Sequence, residues 1–151
     1  MRRSAVVLAV AAIGVGACGG GSSTPHAAPT AAPTTTLSPA QEQALVTAAW
    51  GSFFNAKTPA SQDLTFLEDG AALTTQLNAL HKLTPPDLTV KVEAVNVNGL
   101  SADVTYELMS GGKSLLGHPS TGNAVKVGGQ WLVSRGTFCA LATLAGANCP
   151  T

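Results

Sequence analysis

The sequence is poor in charged residues, which make up 11% of its 151 positions. Eight lysines and arginines balance eight aspartates and glutamates, so the formal net charge is zero. Such a surface offers no basic patch that would attract the phosphates of nucleic acid or the headgroups of an acidic membrane. The composition therefore predicts that nucleic acid is not a partner and that electrostatic attraction does not hold the protein on a membrane.

Residues that commonly carry catalysis or bind metals are few and scattered. The three histidines are His26, His81 and His118, and none has metal-ligand spacing to another or lies beside a carboxylate cluster. No glycine-rich phosphate loop precedes a helix, and no serine occupies a Gly-x-Ser-x-Gly frame. The sequence thus predicts no catalytic residue, no metal and no cofactor, and His81 is interpreted as a helix-end residue, where positive charge is favoured.

The apolar run near the N-terminus is too short to span a bilayer. It follows Met1-Arg2-Arg3 and covers residues 5–17, about 13 positions, whereas roughly 20 are needed to cross the hydrocarbon layer. A positive start, a short apolar run and small residues ahead of a cut are typical of an export signal. Residues 1–17 are therefore predicted to be a signal peptide, and the protein is expected to be exported.

The end of this run predicts where the exported protein resides. Val15-Gly16-Ala17-Cys18 resembles a bacterial lipobox, in which a lipid is attached to the cysteine that becomes the new N-terminus. Cys18 is then a lipidation site, and the lipid anchor makes the outer face of the cell membrane a partner. The alternative is ordinary cleavage after Ala17, which leaves Cys18 a free thiol and the protein secreted. In either case residues 18–37, rich in Gly, Ser, Thr, Ala and Pro, are predicted to form a disordered tether.

Cysteine is scarce, and two of its three positions lie close together near the C-terminus. Exported proteins experience an oxidising environment, in which two nearby cysteines pair. We therefore predict a disulfide between Cys139 and Cys149, worth about 3 kcal/mol in the chain-entropy model for a loop of roughly 11 residues. Lipidation of Cys18 would remove the odd thiol.

Residues 38–151 are predicted to form one α+β domain with a helical first half. Ser38-Pro39-Ala40-Gln41 combines an N-cap serine, a proline at the first helical position and the glutamine of a capping box. Trp50, Phe53 and Phe54 then give the first helix a wide apolar face, which we expect to pack on a sheet.

Two further helices are predicted before the strands. The second starts at Thr58-Pro59 and ends at Glu68-Asp69-Gly70, with Gly70 in the left-handed cap conformation. The third carries Leu73, Leu77 and Leu80 on one side and stops before Pro85-Pro86.

Residues 88–138 are predicted to form an antiparallel meander. The apolar alternation slips by one position near Ala94, which indicates a bulge, and Asn98-Gly99 is a hairpin turn signal. The return strand places Tyr106 and three other apolar residues on one face and Asp103, Thr105 and Glu107 on the other. Leu115-Leu116, in the loop that follows, is interpreted as an edge strand, with a flap over the open end of the sheet as the alternative.

Three helices followed by a curved meander are the plan of an α+β roll, in which a long helix lies in the concave side of the sheet. A cystatin-like layout competes with it, but one helix rather than three is expected there.

Several segments together resemble the mycobacterial low-molecular-weight secreted antigen family, the MTB-twelve type. The resemblance spans most of residues 38–149, and Thr137-Phe138-Cys139-Ala140-Leu141 is its most specific part. It implies an exported actinobacterial protein with a nuclear-transport-factor-2-like roll and no established activity. Cys18 departs from the plain secreted antigens and indicates a lipoprotein-like, membrane-tethered relative. The other matching segments are Ala49-Trp50-x-x-Phe53-Phe54, Phe66-Leu67-Glu68-Asp69-Gly70, Ala102-Asp103-Val104-Thr105-Tyr106, Thr121-Gly122-Asn123-Ala124-Val125 and Gly129-Gln130-Trp131-Leu132-Val133-Ser134.

Two functions stay open at this point. The first is a non-enzymatic, envelope-anchored binding or interaction module whose apolar cavity takes a hydrophobic small molecule or an envelope protein. The alternative is a small hydrolase or isomerase of the ketosteroid-isomerase-like roll, using Tyr106 and an unrecognised acid. A buried carboxylate within hydrogen-bond reach of Tyr106 would favour the enzyme, and a cavity without titratable lining would favour binding. The residues expected to line the cavity are Trp50, Phe54, Tyr106, Leu108 and Trp131.

Overall fold

A computed structural model describes residues 36–150 of the protein. The predicted signal peptide, the lipidation site Cys18 and all but the last two residues of the predicted tether lie outside the described residues. Among the helices of residues 36–150, none has the length and apolar character needed to cross a membrane.

The described residues form the predicted α+β fold, with four α-helices and one curled antiparallel sheet of five strands. Two 3₁₀ turns, Leu64–Phe66 and Gly70–Leu73, separate the second and third helices. The helices are α1 (Pro39–Phe53), α2 (Ala60–Asp63), α3 (Thr74–Leu83) and α4 (Arg135–Leu144), and the strands are β1 (Thr89–Asn98), β2 (Ser101–Ser110), β3 (Lys113–Ser114), β4 (Ser120–Val127) and β5 (Gln130–Val133).

Helix α1 begins with the capping box that the sequence predicts. The Ser38 hydroxyl accepts a hydrogen bond from the backbone N–H of Gln41 over 3.3 Å, and the Gln41 side chain accepts one from the Ser38 N–H over 2.8 Å. These bonds satisfy two backbone donors that a helix start otherwise leaves unpaired. The helix then buries Val46, Trp50 and Phe53 against the sheet.

The sheet has the order β1-β2-β4-β5, and β3 pairs with the far end of β2. The pairing of β1 with β2 shifts between Val92 and Ala94, which confirms the predicted bulge. Asn98 pairs directly with Ser101, so the first hairpin turns on Gly99, at φ 62°, and Leu100, one position later than predicted. A glycine suits this turn because a positive φ costs it little.

The predicted second helix is shorter than expected. After α2 and the first 3₁₀ turn, Leu67 is extended and bridges to Val133 of β5. Asp69, at φ 54°, and not Gly70, takes the left-handed conformation. Gly70 is buried instead, and a Cβ there would lie 2.3 Å from the carbonyl oxygen of Leu64, so close packing of two backbone segments requires this glycine.

The predicted meander ends earlier than residue 138, because β5 stops at Val133. The Ser134 hydroxyl accepts a hydrogen bond from the Thr137 N–H over 3.1 Å and so caps the start of α4. Phe138 and Cys139 therefore lie on a helix, where Phe138 is fully buried. A side-chain acceptor at the N-cap satisfies a backbone N–H in the first turn and so favours a helix over a continued strand.

The predicted disulfide between Cys139 and Cys149 is present and ties α4 to the C-terminal segment. The edge-strand interpretation of Leu115-Leu116 is wrong, because β3 ends at Ser114. The Leu115 N–H still donates to the Leu108 carbonyl over 2.8 Å, which holds the start of this leucine pair beside β2.

Candidate functional site

An apolar cleft of about 260 Å³ opens at one end of the fold. Its walls are the C-terminal end of α1, one side of α3, the C-terminal part of α4 and the loop after β3. From α3 the lining includes Leu77, Leu80 and His81, which recur at helical spacing, and Thr84 follows directly after the helix. Nine of the lining residues are leucines, namely Leu77, Leu80, Leu83, Leu88, Leu108, Leu115, Leu116, Leu141 and Leu144.

The apolar lining of the cleft contains one hydrogen-bonded pair of titratable side chains, a buried aspartate and a half-buried histidine. Asp63, the last residue of α2, is 1% exposed, and its Oδ2 lies 2.6 Å from Nε2 of His81 in the last turn of α3. Burial raises the pKa of Asp63 to about 6, although the hydrogen bond from His81 acts in the opposite direction. Among residues 36–150, Asp63 and His81 are the only ionisable side chains that line the cleft.

One oxygen of this buried carboxylate is unused. Within the described part of the chain, Oδ1 of Asp63 accepts no hydrogen bond. A buried acceptor without a partner costs on the order of 1–3 kcal/mol, and more when it is charged. The cleft lining therefore includes a carboxylate whose Oδ1 is buried and has no hydrogen-bond partner among the described residues.

The sequence indicated only part of this pair. His81 does lie at a helix end, as expected, but it also holds Asp63, which the sequence reasoning did not single out. Asp63 ends α2, and Leu67, four positions later, is extended, so helical spacing does not mark this aspartate as buried. The partner could not be deduced, because His81 lies 18 positions away on another helix.

The residues predicted to line a cavity are divided between three places. Phe54 and Leu108 line the cleft. Trp50 and Tyr106 lie deeper, with ring centroids 4.7 Å apart, in the core between α1 and the sheet. Trp131 is also buried and borders a separate depression beside Leu45. Large aromatic rings bury the most apolar area, which is why Trp50, Tyr106 and Trp131 lie in the core.

Tyr106 is not joined to an acid. Burial raises the pKa of its hydroxyl, and no described side chain shares a hydrogen bond with it. Asp103 lies on the opposite, solvent-facing side of β2, where it accepts a hydrogen bond from Asn123 over 2.7 Å. The buried carboxylate of the fold is Asp63, and its partner is His81.

A metal centre is not formed in the described region. Across residues 36–150, no three side chains of the His, Cys, Asp and Glu types come close enough together to hold a metal ion.

The fold and the cleft define a small α+β roll with a leucine-lined pocket at one end. The chain belongs to the family described as low molecular weight antigen MTB12, C-terminal domain, whose model matches residues 39–149. This match confirms the antigen-family resemblance seen in the sequence. Comparisons with curated proteins and with solved structures gave no match. Membership in an antigen family supports export of the protein and favours a non-enzymatic role.

Proposed function

We propose that the protein is a lipid-anchored binding module of the cell envelope that holds an apolar small molecule in the leucine-lined cleft. The observation that carries this proposal is the exposure of large apolar side chains around one opening. Leu83, Leu115, Leu116 and Leu144 line the cleft and are all substantially exposed, Leu144 to 78%. Burial of apolar surface contributes about 25 cal/mol per Å² of free energy, which these exposed leucines do not gain in the free protein. A cluster of such residues typically marks a binding site.

The shape of the cleft favours a small molecule over a protein partner. The site is concave, and its volume of about 260 Å³ lies near the small end of the range for ligand pockets. Leu115-Leu116 forms one wall on a connecting loop, so it can move to admit or cover a ligand more readily than a strand can.

The proposed anchor at Cys18 gives the cleft a source of apolar molecules. If the predicted tether, residues 18–37, behaves as a flexible coil, its span would be roughly 25 Å. The domain would therefore work close to the membrane surface, where lipid-like molecules are concentrated.

A hydrolase is the second candidate, because the buried Asp63–His81 pair could activate a water molecule at the cleft. The pair replaces Tyr106 in this alternative, since Tyr106 does not line the cleft. Hydrolysis of short-chain acyl esters by the purified chain, lost in His81→Gln, would support it. Absence of turnover by the wild-type chain would remove it.

The binding proposal is tested by titrating the purified chain with a neutral fluorescent probe, N-phenylnaphthylamine. Leu116→Asp places a charge in the cleft wall and should weaken probe binding at least tenfold, because charged groups are poorly solvated there. Leu100→Asp is the matched control, since Leu100 is exposed to 71% and lies in the β1–β2 turn, outside the cleft lining. Equal probe affinity in both variants would contradict the proposal.

Untargeted mass spectrometry of molecules extracted from the purified chain complements this titration. An apolar molecule that co-purifies with the wild-type chain and the Leu100→Asp variant, but not with Leu116→Asp, would identify the natural ligand class.

A further inference from the structure

We infer that the cleft selects a single-chain amphiphile with an uncharged hydroxyl head, whose O–H donates a hydrogen bond to Asp63. This inference rests on the proposed binding function and specifies its ligand class. It follows from the buried carboxylate of Asp63, whose Oδ1 accepts no hydrogen bond from the described residues and which lies in a lining made mainly of leucines.

One oxygen of the Asp63 carboxylate is hydrogen-bonded, and the other is buried without a partner among the described residues. Oδ2 is held by His81 over 2.6 Å, and Oδ1 accepts no hydrogen bond within residues 36–150. The side chain is almost completely buried and lines the cleft, so solvation by bulk water is poor. A ligand that donates a hydrogen bond to Oδ1 removes this penalty, whereas a purely apolar ligand leaves it in place.

The charge around Asp63 decides between possible head groups. The described lining of the cleft contains no lysine or arginine, so a ligand carboxylate would meet a second carboxylate without a compensating cation. His81 already provides a donor to Asp63, which reduces the advantage of a cationic head. An uncharged hydroxyl supplies the missing donor and introduces no unpaired charge into the apolar site.

The volume and lining limit the rest of the ligand. A cleft of about 260 Å³ with leucines on several sides fits one alkyl chain of moderate length, and its uncharged polar side chains are Asn55, whose Oδ1 accepts from the Lys57 N–H over 3.0 Å, and Thr84. Thr84 also lines the cleft, but its hydroxyl donates to the Leu80 carbonyl over 2.9 Å.

The inference is tested by displacement of N-phenylnaphthylamine from the purified full chain with three probes of equal chain size. Decanol carries the hydroxyl donor, methyl nonyl ether has the same number of heavy atoms without a donor, and decanoate carries a negative charge. We expect decanol to bind roughly tenfold more tightly than the ether, since a hydrogen bond to a carboxylate is worth at least that factor. Decanoate should bind more weakly than decanol at neutral pH.

Variants test whether the preference for decanol over the ether depends on the Asp63 carboxylate. Asp63→Leu should reduce the ratio of decanol to ether affinity to one or below, and His81→Gln, which keeps an N–H donor for Oδ2, should retain the preference. Leu144→Ala is the control, because it should weaken both probes and leave their ratio unchanged. If Asp63→Leu does not fold, Asp63→Asn serves instead and should lower the ratio several-fold, since its acceptor is uncharged.

The outcomes separate this inference from the proposed function. If none of the probes displaces the dye from the cleft, the binding function itself is wrong. If decanol and the ether bind equally well, or decanoate binds best, the cleft binds apolar chains but the hydroxyl assignment is wrong. Retention of the alcohol preference in Asp63→Leu would also overturn it.

Discussion

Nε1 of Trp131 donates a hydrogen bond to Oε2 of Glu42 over 2.6 Å, which joins the last strand to the first helix across 89 positions of sequence. The other oxygen of Glu42 accepts from Lys126 over 2.5 Å, and Lys126 Nζ lies 5.6 Å from the centroid of the Trp131 ring. These hydrogen bonds lower the pKa of Glu42, with Lys126 contributing more than Trp131. Trp131 is thus a structural residue that fastens α1 into the sheet.

Truncation of this residue should destabilise the fold. Trp131→Ala removes a ring that is 2% exposed and leaves Glu42 without one donor, so we expect a loss of about 3–5 kcal/mol in the free energy of unfolding. Trp131→Phe keeps most of the buried ring and removes only the donor, and it should cost less, about 1–3 kcal/mol. Urea unfolding followed by circular dichroism measures both. A near-neutral effect of Trp131→Ala would show that the ring is not part of the core.

Two glycines should respond in opposite directions to the same substitution. Gly70→Ala places a Cβ against the Leu64 carbonyl, where it has no room, and should destabilise the protein by about 1–3 kcal/mol. Gly51→Ala, in α1, meets nothing within 4 Å and should stabilise the helix by roughly 0.5–1 kcal/mol. Thermal melts of the two variants give the comparison. Stabilisation by Gly70→Ala would contradict the close backbone packing described above.

The stability of the protein should depend on pH through Asp63. Its pKa is about 6 in the folded protein, against 3.8 for an ordinary aspartate, so the folded state binds this proton more tightly. The stability that this carboxyl contributes is therefore fully present below about pH 4 and is lost as the pH rises through about 6. Asp63→Asn should remove this dependence, because the amide does not titrate. Between about pH 4 and neutral pH the wild type should therefore lose up to ~3 kcal/mol of unfolding free energy that the variant does not lose.

Denaturant unfolding at several pH values tests this dependence. Parallel pH profiles of the wild type and Asp63→Asn would contradict it. Nuclear magnetic resonance titration of the Asp63 carboxyl carbon provides a direct check on the direction of the pKa change.

Membrane attachment should depend on Cys18. If this cysteine carries a lipid, Cys18→Ala prevents lipidation and should move the protein from the membrane fraction into the medium. Fractionation of expressing cells, followed by detection of the protein, measures the change. The same membrane partition in the variant and the wild type would rule out a lipid anchor at this position, and Cys139→Ala is a control that leaves the lipobox intact.

Much of the architecture could be predicted because it depends on local patterns. The capping box at Ser38 and the bulge near Ala94 each involve a few neighbouring residues whose backbone preferences are strong. The start of α4 differs from the prediction although Ser134 is a good N-cap, because the predicted meander runs on through residues 134–137 to Phe138. Periodicity in a short apolar segment does not distinguish a strand from a helix.

The candidate site was the least predictable part of the molecule. The cleft is assembled from residues of α1, α2, α3, α4 and the loop after β3, and no single segment carries its pattern. The sequence predicts a cavity lined by four aromatic residues and Leu108, whereas the structure buries Trp50 and Tyr106 in the core and lines the cleft mainly with leucines. Whether aromatic residues or leucines line the cleft depends on which side chains the packed helices and strands bury in the core.

The sequence by itself determined the α+β class, the disulfide partners and the antigen family, because composition, cysteine number and local spacing are properties of the chain alone. Only the tertiary structure decided that Asp63 meets His81, that Trp131 serves the core and that Leu115-Leu116 borders a cleft. These relationships join residues far apart in sequence. Their partners are selected by the packing of whole helices and strands, which short-range preferences do not encode.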